Sequence, residues 1–178
     1  MTTTVKPASH RPASLAKTPP APVPADVSAK GLLFLMREEG CILHPYNDPV
    51  GYATIGVGHL IGRRPVNDAD RRKFAGFTQQ DAAELLRADV KKFVDHVKAR
   101  AAAGKWHLTQ PQFDALVSLC FNCGGGAIDG NIGKALDRSD YRAAASVILQ
   151  WCNAGGKPIL LPRRRREVEI FLHGNYPS

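Results

Sequence analysis

The sequence predicts an α+β fold with two lobes, in which a long helix joins a small β-hairpin lobe to a mainly helical lobe. Two observations support this class. One short apolar helical run is followed by two β-rich segments with a turn between them, and every later pattern is helical. The chain of 178 residues is also long enough for one well-buried domain. Strands segregated at one end of a helical chain are typical of α+β domains.

The first 27 residues differ in composition from the rest of the chain. Residues 1–25 contain six Pro and no Asp or Glu, and a segment of this kind cannot bury a core. We therefore predict a disordered, basic, Pro/Ala-rich tail over residues 1–27 and a folded catalytic domain over residues 28–178. A solvated leader, a cationic anchor for an anionic envelope and a tether to another domain all fit this composition.

The first helix is predicted to begin after Asp26 or Ser28, since either side chain can cap it, and to end at Gly40. Glycine suits the left-handed backbone conformation that often follows a helix. Glu39 is thereby placed at the helix end, facing the segment that follows.

A β-hairpin is expected next. β-Branched and aromatic residues favour strands over residues 42–46 and 52–57, and the Asn, Asp, Pro and Gly residues between them favour a turn over residues 47–51. This hairpin forms the predicted small lobe.

Helix-start signals occupy the remaining chain. A capping box at Thr78 and Asp81 opens a long helix that should bridge the lobes. A second box at Thr109 and Gln112 opens an apolar helix that should form the core of the helical lobe. Further helices are expected at residues 65–75, 131–136, 140–151 and 162–174.

Charge and hydropathy limit the partners. A net charge of +8 attracts polyanions. No zinc-finger, helix-turn-helix or RNA-binding signature accompanies it, so no nucleic-acid partner is expected. No apolar stretch approaches the ~18 residues of a membrane span, which argues against stable membrane insertion. The N-terminus lacks the apolar core of ~7 to 15 residues found in secretory signals, so we expect synthesis in the cytoplasm.

Four cysteines, Cys41, Cys120, Cys123 and Cys152, lie in apolar patterns and are expected to act as small buried hydrophobic residues. Cys120 and Cys123 form a lone CxxC motif with no second pair or nearby His. No metal site is therefore expected.

Residues 37–61 carry the strongest chemical signal. A carboxylate, Glu39, is placed at a helix end, a second, Asp48, in the next turn and a hydroxyl, Thr54, on a strand. Glycoside hydrolysis needs one carboxylic acid to protonate the departing sugar oxygen and a polar group across the ring to steer or deprotonate water. Taken singly, the three residues are equally consistent with a solvated helix charge, a turn residue and an ordinary strand residue.

The frame around these residues is more specific than their spacing. Glu-Gly is followed by Tyr-Asn-Asp and then by Gly-Tyr-Ala-Thr-Ile-Gly-Val-Gly-His-Leu in one unbroken string. This string closely resembles the phage-type lysozymes, glycoside hydrolase family 24. The match extends over about residues 29–174, and its later part includes the pattern Arg163-Arg164-x-x-Glu167. A lysozyme-like fold is implied for the domain.

The resemblance implies an N-acetylmuramidase that cleaves the β-1,4 bond between N-acetylmuramic acid and N-acetylglucosamine with inversion. Glu39 is the implied general acid. It must hold a proton near neutral pH, which the negative end of the helix dipole favours. Asp48 stabilises developing positive charge and, with the Thr54 hydroxyl, positions the attacking water. No metal or organic cofactor is implied.

The resemblance also implies residues that bind substrate and one structural pair. The substrate-binding residues carried over are Gly58, Leu60, Phe121, Asn122 and Arg163. His59 is expected to join the hairpin to the bridging helix by pairing with Asp89, since a satisfied histidine is more common than a catalytic base. Arg165 and Arg166 are expected to be solvated.

The expected function is cleavage of bacterial peptidoglycan by a monomer, during cell lysis by a phage or prophage endolysin acting on the cell wall in the periplasm. Three alternatives stay open at this stage. They are a lytic transglycosylase, a secreted antibacterial effector of the same fold, and a non-catalytic protein that binds cell wall or nucleic acid.

Overall fold

A computed structural model of the chain describes residues 23–177. The elements alternate as expected for an α+β fold, with all strands near the N-terminus and helices on both sides of them. They are α1 (Ala29–Glu39), β1 (Ile42–Asn47), β2 (Ala53–Gly56), β3 (His59–Gly62), α2 (Asp68–Lys73), α3 (Gln79–Gly104), α4 (Gln110–Cys123), a short 3-10 helix (Gly125–Ile128), α5 (Asn131–Asp137), α6 (Tyr141–Gln150) and α7 (Leu161–His173). The predicted fold class is confirmed.

The sheet differs from the predicted hairpin because it contains a third strand. The order is β1-β2-β3 and both pairings are antiparallel. The predicted strand 52–57 is too long, since β2 ends at Gly56 and the chain turns at Val57 and Gly58 before β3. Gly58 has φ +72°, a value that glycine adopts without steric strain, so this residue permits the tight turn.

Helix α3 bridges the two lobes as predicted. It contains 26 residues and is therefore about 39 Å long. One end packs on β2 and β3, and the other contacts α4 and α5. Thr78 and Asp81 form a complete capping box at its start, and Thr109 and Gln112 form the same arrangement on α4. The apolar face predicted from helical spacing is buried at Ala82, Leu86, Val90, Val94 and Val97.

The helical lobe is built around α4. This helix packs against α3 and α7, and eight of its residues are buried, among them Phe113, Leu116 and Leu119. Of the four cysteines, only Cys120 is fully buried, and the other three are half-buried. The prediction of four buried cysteines was therefore correct at Cys120 alone, because the other three lie at element ends where packing is incomplete.

Most of the predicted tail, residues 1–22, lies outside the described residues. Its last residues are described, and Val27 is only 2% exposed within the core. Ser28 caps α1 by accepting a hydrogen bond from the backbone N–H of Gly31, and its own N–H donates to Asp114 at 3.0 Å. The packed domain therefore includes Val27. Within residues 23–177, no helix combines the length and the apolar character needed to cross a membrane.

Candidate active site

Glu39 is the last residue of α1 and lies in a groove between the small lobe and α4. Gly40, at the helix C-terminus, has φ +80°, so the chain can turn sharply into β1. The groove has a volume of about 300 Å³ and the Glu39 side chain is 29% exposed. Its walls are formed by Glu39, Gly40, Ile42, Tyr46, Gly56, Val57, Gly58 and Phe121. The predicted general acid thus faces a space that is large enough to receive a saccharide residue.

Arg163 from α7 holds one oxygen of this carboxyl group. Its Nη1 lies 2.5 Å from Glu39 Oε1, and the Arg163 side chain is only 7% exposed. Arg163 Nε also contacts Glu167 Oε1 at 3.2 Å. Glu39 Oε2 makes no hydrogen bond to any of residues 23–177 and stays available to the groove. The ion pair therefore orients the carboxyl group without occupying both of its oxygens.

A buried charge network supports Arg163 from behind. Glu167 is fully buried and accepts a hydrogen bond from the Ser118 hydroxyl at 2.7 Å. Arg164, also fully buried, lies 3.1 Å from the second Glu167 oxygen. Burial raises the pKa of Glu167, and the positive charges of Arg164 and Arg163 oppose that rise. The network fixes the position from which Arg163 reaches Glu39.

Glu38, which precedes Glu39, faces away from this network. It forms two contacts with Arg166, at 2.6 and 2.8 Å, and its side chain is only 9% exposed. Glu38 is therefore structural, as expected. Arg166 was predicted to be solvated, and that prediction was wrong because α7 packs close enough to α1 for this paired contact. Arg165 is exposed as predicted.

Asp48 organises the turn between β1 and β2. Its Oδ1 accepts hydrogen bonds from the backbone N–H groups of Val50 at 2.9 Å and Tyr52 at 2.8 Å. Oδ2 has no hydrogen-bond partner in the described part of the chain. The charge of Asp48 acts on Tyr46, a wall residue of the groove: burial raises the pKa of Tyr46 and Asp48 adds to that rise. Asp48 thus borders the groove without lining it.

Thr54 is coupled to Asp48 through a single backbone carbonyl. The Thr54 hydroxyl donates to the Tyr52 carbonyl at 3.0 Å, and the Asp48 backbone N–H donates to the same oxygen at 2.9 Å. Thr54 is 3% exposed and is the strand partner of Tyr46. The turn therefore brings Asp48 and Thr54 together, next to the Tyr46 wall and across from the end of α1.

The five predicted substrate-binding residues are divided among three positions. Gly58 and Phe121 line the Glu39 groove, and with Leu60 they also line a second cavity. Arg163 contacts Glu39 and is almost fully buried. Asn122 lines a separate cavity of about 430 Å³ beside Trp151 and accepts a hydrogen bond from Arg164 at 2.8 Å. The structure therefore groups Gly58, Leu60 and Phe121 and places Asn122 apart.

His59 and Asp89 form the predicted pair. His59 Nδ1 lies 2.9 Å from Asp89 Oδ2, and both side chains are about one-third exposed. The pair ties β3 to α3, so it fixes one wall of the groove. Sequence reasoning did not select Tyr46 or Val57 as groove residues. The Tyr-Asn-Asp string offered a signal for Tyr46, whereas Val57 resembles any core residue.

Comparisons with known proteins agree with this geometry. Residues 36–169 match the Phage lysozyme family. The chain is 39% identical to the endolysin of Salmonella phage P22 over 151 residues, which cover 82% of this chain and 97% of that protein. It is 36% identical to the endolysin of Bacillus phage B103, of which it covers 55%.

Solved structures give the same result. A P22 lysozyme variant superposes with a TM-score of 0.68 at 37% identity, covering 83% of this chain and 98% of that one. The muramidase domain of SpmX from Asticaccaulis excentricus superposes with a TM-score of 0.64 at 29% identity, covering 84% and 99%.

Proposed function

Since the chain belongs to the phage lysozyme family, whose members are glycoside hydrolases of the muramidase type, we propose that Glu39, Asp48 and Thr54 carry the reaction. The substrate is the β-1,4 bond between N-acetylmuramic acid and N-acetylglucosamine in bacterial peptidoglycan. One observation carries this assignment: Glu39 ends α1 inside a groove, with one carboxyl oxygen held by Arg163 and the other unbonded within residues 23–177. A general acid needs this combination of fixed orientation and a free oxygen.

The reaction needs one proton donor and one activated water. Glu39 Oε2 protonates the glycosidic oxygen as its bond to the sugar carbon breaks. Water adds to that carbon from the opposite face and releases its proton to Asp48, whose Oδ2 is not used by the turn. The Thr54 hydroxyl donates to the Tyr52 carbonyl, so its lone pairs can accept a hydrogen bond from the water. The product has inverted configuration.

Substitution of the acid tests this assignment. Glu39→Gln keeps the shape of the side chain but cannot donate a carboxyl proton, and we expect clearing of a peptidoglycan suspension to fall by at least ~10². Glu84→Gln is the matched control, because Glu84 is exposed and distant from the groove on α3. Equal clearing by wild type and Glu39→Gln would contradict the role of Glu39.

Product mass separates hydrolysis from the transglycosylase alternative. Hydrolysis adds water and leaves a reducing muramic acid, whereas cyclisation gives an anhydro sugar that is lighter by one water. The polar pair of Asp48 and Thr54 favours hydrolysis, because both side chains offer oxygens to a water molecule. Mass spectra that contain only anhydro products would contradict the proposed role of these residues.

The biological setting follows from the relatives. Their names describe endolysins of phages, and we propose that this chain acts as a monomer on the bacterial cell wall during lysis, after synthesis in the cytoplasm. Expression inside bacteria tests this. Rapid clearing only after the inner membrane is permeabilised supports the proposal, whereas clearing without permeabilisation contradicts the need for release.

A further inference from the structure

A second cavity extends the Glu39 groove toward α3. Its volume is about 300 Å³, and it is lined by Val57, Gly58, His59, Leu60, Asp89, Lys92, Phe93 and Phe121. Three of these residues, Val57, Gly58 and Phe121, also line the groove that contains Glu39. The two spaces therefore adjoin at Phe121, and a glycan strand bound at Glu39 can continue into the second cavity.

Apolar side chains form much of the wall of this extension. Phe93 and Phe121 contact each other edge to face, with ring centroids 5.7 Å apart. Leu60 is 44% exposed. Apolar faces of this kind suit the faces of sugar rings and the carbon chains of a peptide. They also reduce the water around any charge placed between them, which strengthens its interactions.

Lys92 provides the positive charge of this wall. Two titratable neighbours, His59 and Asp89, satisfy each other at 2.9 Å. The Lys92 ammonium lies 4.9 Å from the Phe93 ring centroid and forms no ion pair with any described residue. Its neighbour Lys91, by contrast, is paired with Asp95 at 2.5 Å. The cavity therefore presents one uncompensated cation beside an apolar wall.

We propose that Lys92 binds a carboxylate of the peptidoglycan peptide stem and makes this enzyme selective for glycan strands that carry stems. The inference rests on the proposed function. Unmodified sugar rings offer only hydroxyl and acetamido groups to the ammonium, whereas stem peptides carry carboxylates. A carboxylate accepts a shorter and stronger hydrogen bond from an ammonium than a neutral oxygen does. Lys92 is thus a specificity-determining residue outside the chemistry at Glu39.

The test compares wild type, Lys92→Gln and Lys92→Arg on native peptidoglycan. Lys91→Gln is the matched control, because it removes an adjacent charge that is already paired with Asp95. We expect Lys92→Gln to raise KM by roughly five- to tenfold with kcat unchanged. Lys92→Arg should retain most of the wild-type KM because it keeps the positive charge, and Lys91→Gln should match wild type. An unchanged KM for Lys92→Gln would overturn the proposal.

Two modified substrates identify the anion. On peptidoglycan whose carboxyl groups have been converted to amides, wild type and Lys92→Gln should have the same KM, and a persistent difference would overturn the proposal. Strands stripped of stems by an amidase carry lactyl carboxylates instead. A difference between the two proteins on stripped strands alone would overturn the assignment to the stem. Failure of wild type to cleave any of the three substrates would instead contradict the proposed function.

Discussion

Glu39 and Arg163 are 124 residues apart in the chain, and their side chains meet at 2.5 Å. This contact joins the end of the first helix to the start of the last one. It places an oriented carboxyl group at the groove, and it depends on a buried network that includes Glu167 and Ser118. The reactivity of Glu39 is therefore tied to the packing of the helical lobe.

Arg163→Gln should impair both stability and activity. The substitution removes one cation from the buried Glu167 and frees Glu39 to change its orientation. We expect the free energy of unfolding to fall by about 3 kcal/mol and kcat to fall by about 10². Urea unfolding and a turbidity assay measure the two effects.

Two further variants separate these effects. Arg163→Lys keeps the charge but loses the paired geometry, so it should lie between wild type and Arg163→Gln in both measurements. Arg165→Gln removes an exposed charge two residues further along α7 and should behave like wild type. Full activity in a folded Arg163→Gln protein would show that Glu39 needs no orientation by Arg163.

Asp48→Asn should lower activity and leave the fold intact. An Asn Oδ1 can still accept the hydrogen bonds from Val50 and Tyr52 that hold the turn. The substitution removes the negative charge, so we expect kcat to fall by about 10² to 10³. Asp48→Ala loses the turn contacts as well and should also unfold at a lower urea concentration. Wild-type kcat for Asp48→Asn would rule out a role for the charge.

Leu60→Ala should weaken substrate binding with little effect on stability. Leu60 is 44% exposed in the cavity that continues the groove, so truncation removes apolar contact area for the substrate. We expect KM to rise about fivefold, with the free energy of unfolding changed by roughly 0.5 kcal/mol or less. Leu43→Ala is the control: Leu43 is 43% exposed on β1 and is not a wall residue of either space. Equal KM values for the two variants would argue against substrate contact at Leu60.

Asp70 should make stability depend on pH in the acid range. Two hydrogen bonds from Arg64, at 2.6 and 2.9 Å, and the backbone N–H of Asn67 lower the pKa of Asp70 from 3.8 to about 2. Because the folded protein holds the ionised form, this contribution is present above pH 4 and is lost as the pH falls toward 2.

Urea unfolding at several pH values measures this dependence. The Asp70→Asn protein should lose less stability than wild type between pH 4 and 2, because it has no proton to gain at this position. Asp68→Asn, an exposed neighbour in the same helix turn, should keep the wild-type slope. A wild-type slope in Asp70→Asn would assign the acid sensitivity to other carboxylates.

Local signals predicted most of the elements. Ser28 and Gly40 bound α1, and the capping boxes at Thr78 and Thr109 begin α3 and α4 where expected. Such signals work because they satisfy backbone N–H groups within one helical turn. The third strand was missed because Gly56 to His59 read as continuous strand, although two glycines there adopt positive φ.

Site residues divide in the same way. The sequence frame alone determined that Glu39 ends a helix and that Asp48 and Thr54 belong to the following hairpin, because each position depends on a few neighbouring residues. Only the tertiary structure decided that Arg163 holds Glu39, that Arg164 is buried, and that Asn122 faces a separate cavity. Four consecutive arginines have the same charge and are nearly indistinguishable in sequence. Their fates differ because the direction of each side chain from α7 determines whether it meets buried Glu167, Glu38 on α1, or water.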